Sequence, residues 1–359
     1  MAASEQAGRF NTRAALQAGL VIPAHPLALT PTRNMDERHQ RALTRYYVAA
    51  GAGGMAVGVH TTGFPIHDDK IGLYRPVLEL AAETASAALA SSPRPFVRVA
   101  GLLGDTAQAL REAQVALALG YHCGLLSLGA WRDATDAAIL AHCQRVAEAI
   151  PLFGFYLQPA VGGRRLSYAF WREFAEIPQV VAIKVAPFDR YATLDVVRAL
   201  ADAGRDDIAL YTGNDDAIVP DLVTDVPVTS GGRAYTRHFV GGLLGQWAVW
   251  TQSAVTMLRE VQAWRASGAT AVPREWLTRG AALTMANAVI FDAAHGYTGC
   301  LPGILEVLRL QGLVRGCWTF DTHERLSPGQ AEAIARLSAQ YPDLVDDDFV
   351  AEHRDAWLA

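Results

Sequence analysis

The chain has 359 residues, of which 51% are hydrophobic and 19% charged, and this composition predicts a sizeable folded core rather than disorder. Its formal net charge of -5 at pH 7 gives no electrostatic basis for binding nucleic acid or an anionic membrane. No uncharged apolar run reaches the ~18 residues of a membrane span, and the first residues, MAASEQAGRFNTRAAL, lack the apolar centre of a signal peptide. We therefore expect a cytoplasmic protein with neither nucleic acid nor a membrane as its partner.

Short apolar runs alternate along the chain with longer amphipathic segments rich in Ala, Leu and Arg. The runs predicted as strands are 20–29, 54–63, 96–103, 123–129, 152–158, 180–186, 208–213 and 226–232. The segments predicted as helices are 36–51, 74–91, 105–120, 133–150, 167–177, 190–204, 215–223 and about 239–266. Eight such units without a long gap predict an α/β fold of the (β/α)₈ TIM-barrel type, with an open doubly wound sheet as the alternative.

The chain from Pro273 onward has a helical pattern throughout. We therefore divide it into an N-terminal segment (1–19), a (β/α)₈ barrel (20–270) and a C-terminal helical extension (271–359) that packs on the barrel.

Metal-ligand patterns are missing from the sequence. The four cysteines show neither CxxC nor zinc-site spacing, and neither HxH nor HExxH occurs. We expect no metal and no organic cofactor.

One lysine stands out in the sixth predicted strand, within VVAIKVAPFD (180–189). The chain holds 31 Lys plus Arg, and only Lys70 and Lys184 are lysines. An ammonium group in an apolar strand indicates chemistry that a guanidinium cannot do, namely loss of the proton and attack on carbon. The alternative is a lysine that extends to solvent or pairs with a carboxylate such as Asp189.

In a barrel, residues at the carboxyl ends of the strands face the active site. Here they combine an amine with a phenol, hydroxyls and glycine turns that suit imine chemistry on a carbonyl compound. Alternatives stay open for several of them: ordinary strand residues for the threonines, a core phenol for the tyrosine, packing for the histidine and a helix N-cap for Asn214–Asp215. The candidates are His60, Thr61, Thr62, Gly63, Tyr156, Lys184, Asn214 and Gly231.

Four motifs, in order and spacing, resemble the dihydrodipicolinate synthase/N-acetylneuraminate lyase family of class I aldolases. They are HTTGF (60–64) for the family's Gly-Thr-Thr-Gly-Glu loop, YLQP (156–159) for its Tyr-x-x-Pro after strand five, IK (183–184) for its Ile-Lys on strand six, and TGND (212–215) for its Ser/Thr-Gly-x-Asp on strand seven. The resemblance covers roughly residues 20 to 330. It implies Lys184 as the Schiff-base lysine, Tyr156 as the proton relay, Thr61 and Thr62 as binders of a 2-oxo acid carboxylate, and a homo-oligomer, either a dimer or a tetramer.

The chain departs from the family pattern where the second substrate binds. Phe64 replaces the loop glutamate, and His60 replaces the leading glycine. Val161 replaces the arginine with which the synthase binds the carboxylate of its second substrate. After the fourth predicted strand, LGAWRD replaces the aromatic pair that serves a neighbouring subunit, leaving Trp131. We therefore expect a Schiff-base aldolase or lyase acting on pyruvate or another 2-oxo acid, and not a true dihydrodipicolinate synthase. The alternatives are a dehydratase or hydratase-aldolase on a sugar acid or aromatic substrate, and a non-catalytic barrel that binds a small acid.

Overall fold

In the computed structural model, which describes residues 10–359, the chain forms ten strands. They are β1 (Val21–Pro23), β2 (Gly54–Val57), β3 (Val97–Leu102), β4 (Cys123–Leu126), β5 (Leu152–Leu157), β6 (Val180–Ala186), β7 (Ala209–Thr212), β8 (Val226–Ser230), β9 (Arg233–Arg237) and β10 (Gly241–Leu244). All except β8 and β9 are parallel neighbours in the order β1-β10-β7-β6-β5-β4-β3-β2. A parallel bridge between Ala24 and Ala56 links β1 to β2, so the eight strands form the predicted (β/α)₈ barrel.

Helices cover the outside of the barrel, except the first, which lies against the core inside it. In chain order they are α1 (Thr12–Gln17), α2 (Glu37–Ala49), α3 (Tyr74–Leu89), α4 (Thr106–Ala118), α5 (Asp136–Ala147), α6 (Tyr168–Phe174), α7 (Arg190–Asp202), α8 (Ile218–Val223) and α9 (Thr251–Ala266). The C-terminal helices are α10 (Arg274–Ile290), α11 (Cys300–Leu310), α12 (Gln330–Ala335), α13 (Leu337–Gln340) and α14 (Asp347–Leu358). No helix among residues 10–359 is both long and apolar enough to cross a bilayer. The division of the chain at residues 19 and 270 stays a prediction.

The strands separate two hydrophobic cores because successive side chains point to opposite faces. In β5, Phe153 and Phe155 belong to the core inside the barrel, whereas Leu152 and Tyr156 pack outward among the helices. The short helix α1 lies against the same inner core, where Leu16 is fully buried. Its end is held by the Tyr211 hydroxyl, which donates to the Leu16 carbonyl at 2.8 Å.

The prediction for the eighth strand was wrong. Residues 226–230 pair antiparallel with 233–237, and the two strands form a hairpin outside the barrel. The eighth barrel strand is instead β10, with sequence GGLL, and α9 begins only at Thr251. A Cβ added at Gly241 would lie 2.4 Å from the Leu20 carbonyl oxygen, so this strand requires glycine at that position. Glycine is unfavourable in strands, and the sequence pattern therefore does not indicate a strand here.

Candidate active site

A small cavity of about 50 Å³ lies at the carboxyl end of the barrel, and Lys184 of β6 lines it. Its side chain is only 8% exposed, and the Nζ atom lies 4.7 Å from the centre of the Phe155 ring. On the neighbouring strand, Gly213 gives the lysine room, since a Cβ there would lie 2.7 Å from Lys184 Cε. The amine is thus held between an aromatic ring and a glycine backbone.

Burial lowers the pKa of Lys184 from 10.5 to about 8, and the nearby Asp215 and Cys300 only partly oppose this shift. Among residues 10–359, no carboxylate lies within ion-pair distance of its Nζ atom. The alternative that Lys184 pairs with Asp189 is therefore wrong, since Asp189 pairs with Arg165 and caps α7. A buried lysine with such a pKa supplies neutral amine near pH 7 to 8.

Asp215 is the one carboxylate that lines this cavity among the described residues. Burial raises the pKa of Asp215 to about 7, against the lowering effects of Lys184 and of the Gln246 amide. The backbone N–H of Gln246 donates to Asp215 Oδ1 at 3.0 Å. The cavity therefore contains an amine and a carboxyl group whose pKa values have moved toward each other, an arrangement typical of catalytic sites.

Hydrogen-bonding groups for a substrate line the same cavity. Burial, and secondarily Lys184, lower the pKa of His60 to about 4, so its ring is neutral at pH 7. The Gln158 side chain and Tyr297 also line the cavity. Thr61 lines it too, but its hydroxyl donates to the Ala24 carbonyl at 2.7 Å and is not available to donate to a ligand in this arrangement.

The structure does not bring Tyr156 into the cavity. Its hydroxyl donates to the Leu166 carbonyl at 3.1 Å and accepts from the Leu166 amide at 3.2 Å, and its ring packs on Trp171. Phe155, one residue earlier, faces Lys184 instead, because neighbouring residues of a strand point to opposite faces. The prediction of Tyr156 as a phenol beside the lysine is therefore corrected.

Thr62 and Gly63 do not line the inner cavity either. The Thr62 hydroxyl donates to the His25 carbonyl at 2.7 Å and accepts from the amides of Gly58 and Val59, which ties β2 to the end of β1. Gly63, at φ 92°, forms the turn and lines only the outer mouth of the site.

Asn214 and Gly231 also fall outside the cavity. The Asn214 amide binds Thr193 and Asp221, and its oxygen accepts from the Phe188 amide. It holds the Phe188 backbone at φ 51°, a strained conformation that directs an aromatic ring to the cavity. Gly231 lies in the turn of the β8–β9 hairpin, because the predicted eighth strand is that hairpin.

Four polar residues of the cavity, and the aromatic residue whose ring faces Lys184, were not among the predicted site residues. Gln158 lies within the YLQP motif, and Phe155 directly precedes that motif in the predicted strand 152–158. Tyr297 and Cys300 lie beyond the barrel, in the loop and helix that follow α10. Asp215 is the last residue of the TGND motif, where a helix N-cap was an open alternative to a substrate contact. The five are Phe155, Gln158, Asp215, Tyr297 and Cys300.

The inner cavity opens into an outer cavity of about 490 Å³. His60, Val161, Tyr297 and Cys300 line both. The outer cavity adds Phe64 and two carboxylate residues, Asp321 and Glu324, and its described lining includes no arginine or lysine. No group of three potential metal-ligand side chains occurs among residues 10–359.

Sequence comparisons find distant relatives, although no protein-family profile matches the chain. It is 27% identical to the 4-hydroxy-tetrahydrodipicolinate synthase of Mycolicibacterium gilvum over 260 residues, which are 72% of this chain and 75% of that protein. It is 28% identical to the synthase of the same name from Acidothermus cellulolyticus over 244 residues, 63% of this chain and 73% of the relative.

Solved structures share the fold. A dihydrodipicolinate synthase from Acinetobacter baumannii, complexed with pyruvate, superposes with a TM-score of 0.72 at 17% identity, over 90% of this chain and 99% of the other. An N-acetylneuraminate lyase from Fusobacterium nucleatum gives a TM-score of 0.68 at 17% identity, over 92% and 99%. At these identities the likeness is one of fold.

Proposed function

The chain belongs to the dihydrodipicolinate synthase/N-acetylneuraminate lyase family as a divergent member, and from this membership we propose that it joins or cleaves carbon–carbon bonds through an imine between Lys184 and a 2-oxo acid. The family consists of class I aldolases and lyases. The observation that carries the proposal is the lysine itself, which is buried in a cavity, unpaired among the described residues, and has a pKa lowered to about 8.

The proposed reaction begins with attack of the neutral Lys184 amine on the substrate's C2 carbonyl. The C–N bond forms while the carbonyl oxygen takes up a proton, and the resulting carbinolamine loses water to give a protonated imine. That cation draws electrons from C3, so that a proton or a carbon substituent can leave there. His60, Gln158 and Tyr297 are the side chains suited to orient the acid's oxygens, since all three line the cavity.

The second substrate should lack a carboxylate at the end that enters the outer cavity. Val161 replaces the family's arginine and lines both cavities. The two carboxylate side chains of the outer lining, Asp321 and Glu324, would repel a second anion, and His323 is the one basic side chain beside them that does not also line the inner cavity among the described residues. An outer cavity lined by Val161, Asp321 and Glu324 favours an aldolase or lyase with a neutral acceptor over a true dihydrodipicolinate synthase.

A hydratase-aldolase acting on an aromatic substrate is the second candidate, and one observation favours it. Aromatic rings line the route from the outer cavity to the lysine, and rings of this kind stack favourably on a planar aromatic aldehyde. The residues concerned are Phe64, Phe155, Phe188, Phe291 and Tyr297.

The test is reductive trapping. The protein is incubated with a panel of 2-oxo acids and borohydride, its intact mass is measured, and the adduct is located by peptide mapping. One reduced adduct on Lys184 is expected, with Lys184→Arg as the matched control that keeps the charge but cannot form the imine.

Because the chain holds two lysines, the mapping separates the outcomes clearly. Adducts on Lys70 or the N-terminal amine, or none across the panel, would refute the imine mechanism. In the last case, saturable binding of a 2-oxo acid without an adduct would support a non-catalytic barrel that binds a small acid.

A further inference from the structure

A Schiff-base reaction needs a group that moves protons at the substrate, and Tyr156 is not in a place to do so. Its hydroxyl is bound to the Leu166 backbone outside the barrel, and the ring that faces Lys184 is Phe155, which carries no proton to exchange. Some other side chain of the cavity must then carry out the transfers if the proposed function holds.

Asp215 has the geometry for this role. It follows the end of β7, the strand beside that of Lys184, and Gly213 between them lets the lysine side chain lie across that end. One carboxyl oxygen is held by the Gln246 amide at 3.0 Å, and the Asp215 carbonyl accepts from Asn287 Nδ2 at 2.7 Å. The carboxyl group is thus fixed, and the structure records no protein partner for its second oxygen among residues 10–359.

The amine and the carboxyl group do not form a direct ion pair, although they line the same cavity. A substrate that forms an imine with Lys184 would therefore occupy a cavity that the carboxyl group of Asp215 also lines. Each group shifts the pKa of the other, so the two interact electrostatically across the cavity that they both line.

The other titratable groups of the cavity are less suited to the role. Because the pKa of His60 is lowered to about 4, only a very small fraction of its rings is protonated and able to donate a proton at pH 7. Burial raises the pKa of the Cys300 thiol and of the Tyr297 phenol, so neither accepts a carbon-bound proton readily as an anion. Asp215, with a pKa of about 7, both donates and accepts near neutral pH.

We propose that Asp215 is the catalytic acid and base of this site, and that it takes the place of the family's tyrosine. The inference rests on the proposed function.

The proposed role accounts for each proton transfer in turn. In the carboxylic acid form, Asp215 donates its proton to the carbinolamine oxygen as water leaves. The carboxylate that remains then balances the positive charge of the iminium group. The carboxylate next takes a proton from C3, giving the neutral enamine and restoring the acid. When the enamine attacks an aldehyde, the new C–C bond forms and the same proton passes to the aldehyde oxygen, regenerating the iminium and the carboxylate.

The experiment compares imine formation with proton exchange in Asp215→Asn. Pyruvate is the probe: its adduct on Lys184 is trapped by borohydride, and exchange of its C3 protons with D₂O is followed by NMR. We expect the adduct still to form at long incubation, while enzyme-dependent C3 exchange falls by about 10²- to 10⁴-fold, the usual effect of losing a positioned proton-transfer group.

Two further variants make the comparison specific. Asp216→Asn removes the neighbouring carboxylate, which does not line the inner cavity, and should keep most of the exchange, because Asp216 is only the smallest of the causes that act on the Asp215 pKa. Asp215→Glu keeps a carboxyl group on a longer arm and should recover part of the exchange, so the role stays testable if the asparagine variant does not fold.

The possible results are distinct. Wild-type exchange in a folded Asp215→Asn variant would overturn the inference while leaving the imine mechanism intact. Loss of both adduct and exchange in that folded variant, even at incubation times long enough to offset slower loss of water from the carbinolamine, would also overturn it, since Asp215 would then be needed only to position Lys184. If the wild type itself forms no adduct with any 2-oxo acid, the proposed function fails and this inference fails with it.

Discussion

Lys184 illustrates how one residue obtains its reactivity from its surroundings. Desolvation penalises the ammonium form, and the cation–π contact between Nζ and the Phe155 ring, whose centre lies 4.7 Å away, offsets only part of that penalty. Asp215 opposes the shift but does not form an ion pair with the amine. The charge of Asp215 therefore limits the fall in the pKa of Lys184 without holding the ammonium form in an ion pair.

The first prediction concerns the titration of Lys184. Because its pKa is lowered to about 8, the reactive neutral fraction should rise from about a tenth at pH 7 to most of the protein above pH 9. Trace acetylation of the free protein across pH 6 to 11, followed by peptide mass spectrometry, measures this, with the exposed Lys70 as the internal standard. A reactivity that keeps rising to pH 10 or beyond would mean that Lys184 is solvated.

At the scale of elements, the turn after β2 shows how a binding motif can instead be structural. The Thr62 hydroxyl joins three backbone groups from two strand ends, at 2.7, 3.0 and 3.2 Å. A buried hydroxyl with these partners stabilises the closure of the barrel between β1 and β2, where the backbone contacts are the Ala24–Ala56 bridge and the bond from the Gly53 amide to the Val21 carbonyl.

The second prediction follows from those bonds. Thr62→Val keeps the shape of the side chain but leaves the His25 carbonyl and two amides without their partner, so the free energy of unfolding should fall by about 3 kcal/mol. Thr62→Ser, which keeps the hydroxyl, should lose under about 1 kcal/mol, since only a methyl group is removed. Urea unfolding of both variants gives the numbers. A stable valine variant with weakened pyruvate trapping would instead identify Thr62 as a substrate ligand.

At the scale of the whole molecule, the C-terminal extension completes the site that the barrel begins. It contributes Phe291, Tyr297, Cys300 and Ile304 to the inner cavity. A buried carboxylate, Asp346, anchors it: the carboxylate accepts from the Tyr46 hydroxyl on α2, the Gln252 amide on α9 and the Gln311 side chain after α11. The predicted homo-oligomer stays a prediction.

The third prediction tests this anchor. In Asp346→Asn, an amide NH₂ must face one of the donors that the carboxylate now satisfies, and stability should fall by about 2–3 kcal/mol. Limited proteolysis should then cut within the extension, and pyruvate trapping at Lys184 should weaken because the mouth of the cavity loosens. Asp348→Asn, at an exposed position on α14, is the control. Equal proteolysis of the two variants would show that Asp346 does not hold the extension in place.

The alternation of strands and helices, the C-terminal helices and the buried Lys184 were all predictable from the sequence, because each depends on local hydrophobic pattern. Three features depended on the tertiary structure. The first is which of two adjacent aromatic residues faces the inside of the barrel. The structure places Phe155 there and Tyr156 outside, and the local pattern does not distinguish them because both are buried. The eighth strand, GGLL, is held by backbone pairing with β1 and β7 rather than by side chains of high strand propensity. Asp215, Gln158, Tyr297 and Cys300 become neighbours only when the barrel closes and the extension packs over its mouth, so their shared cavity is a property of the folded chain.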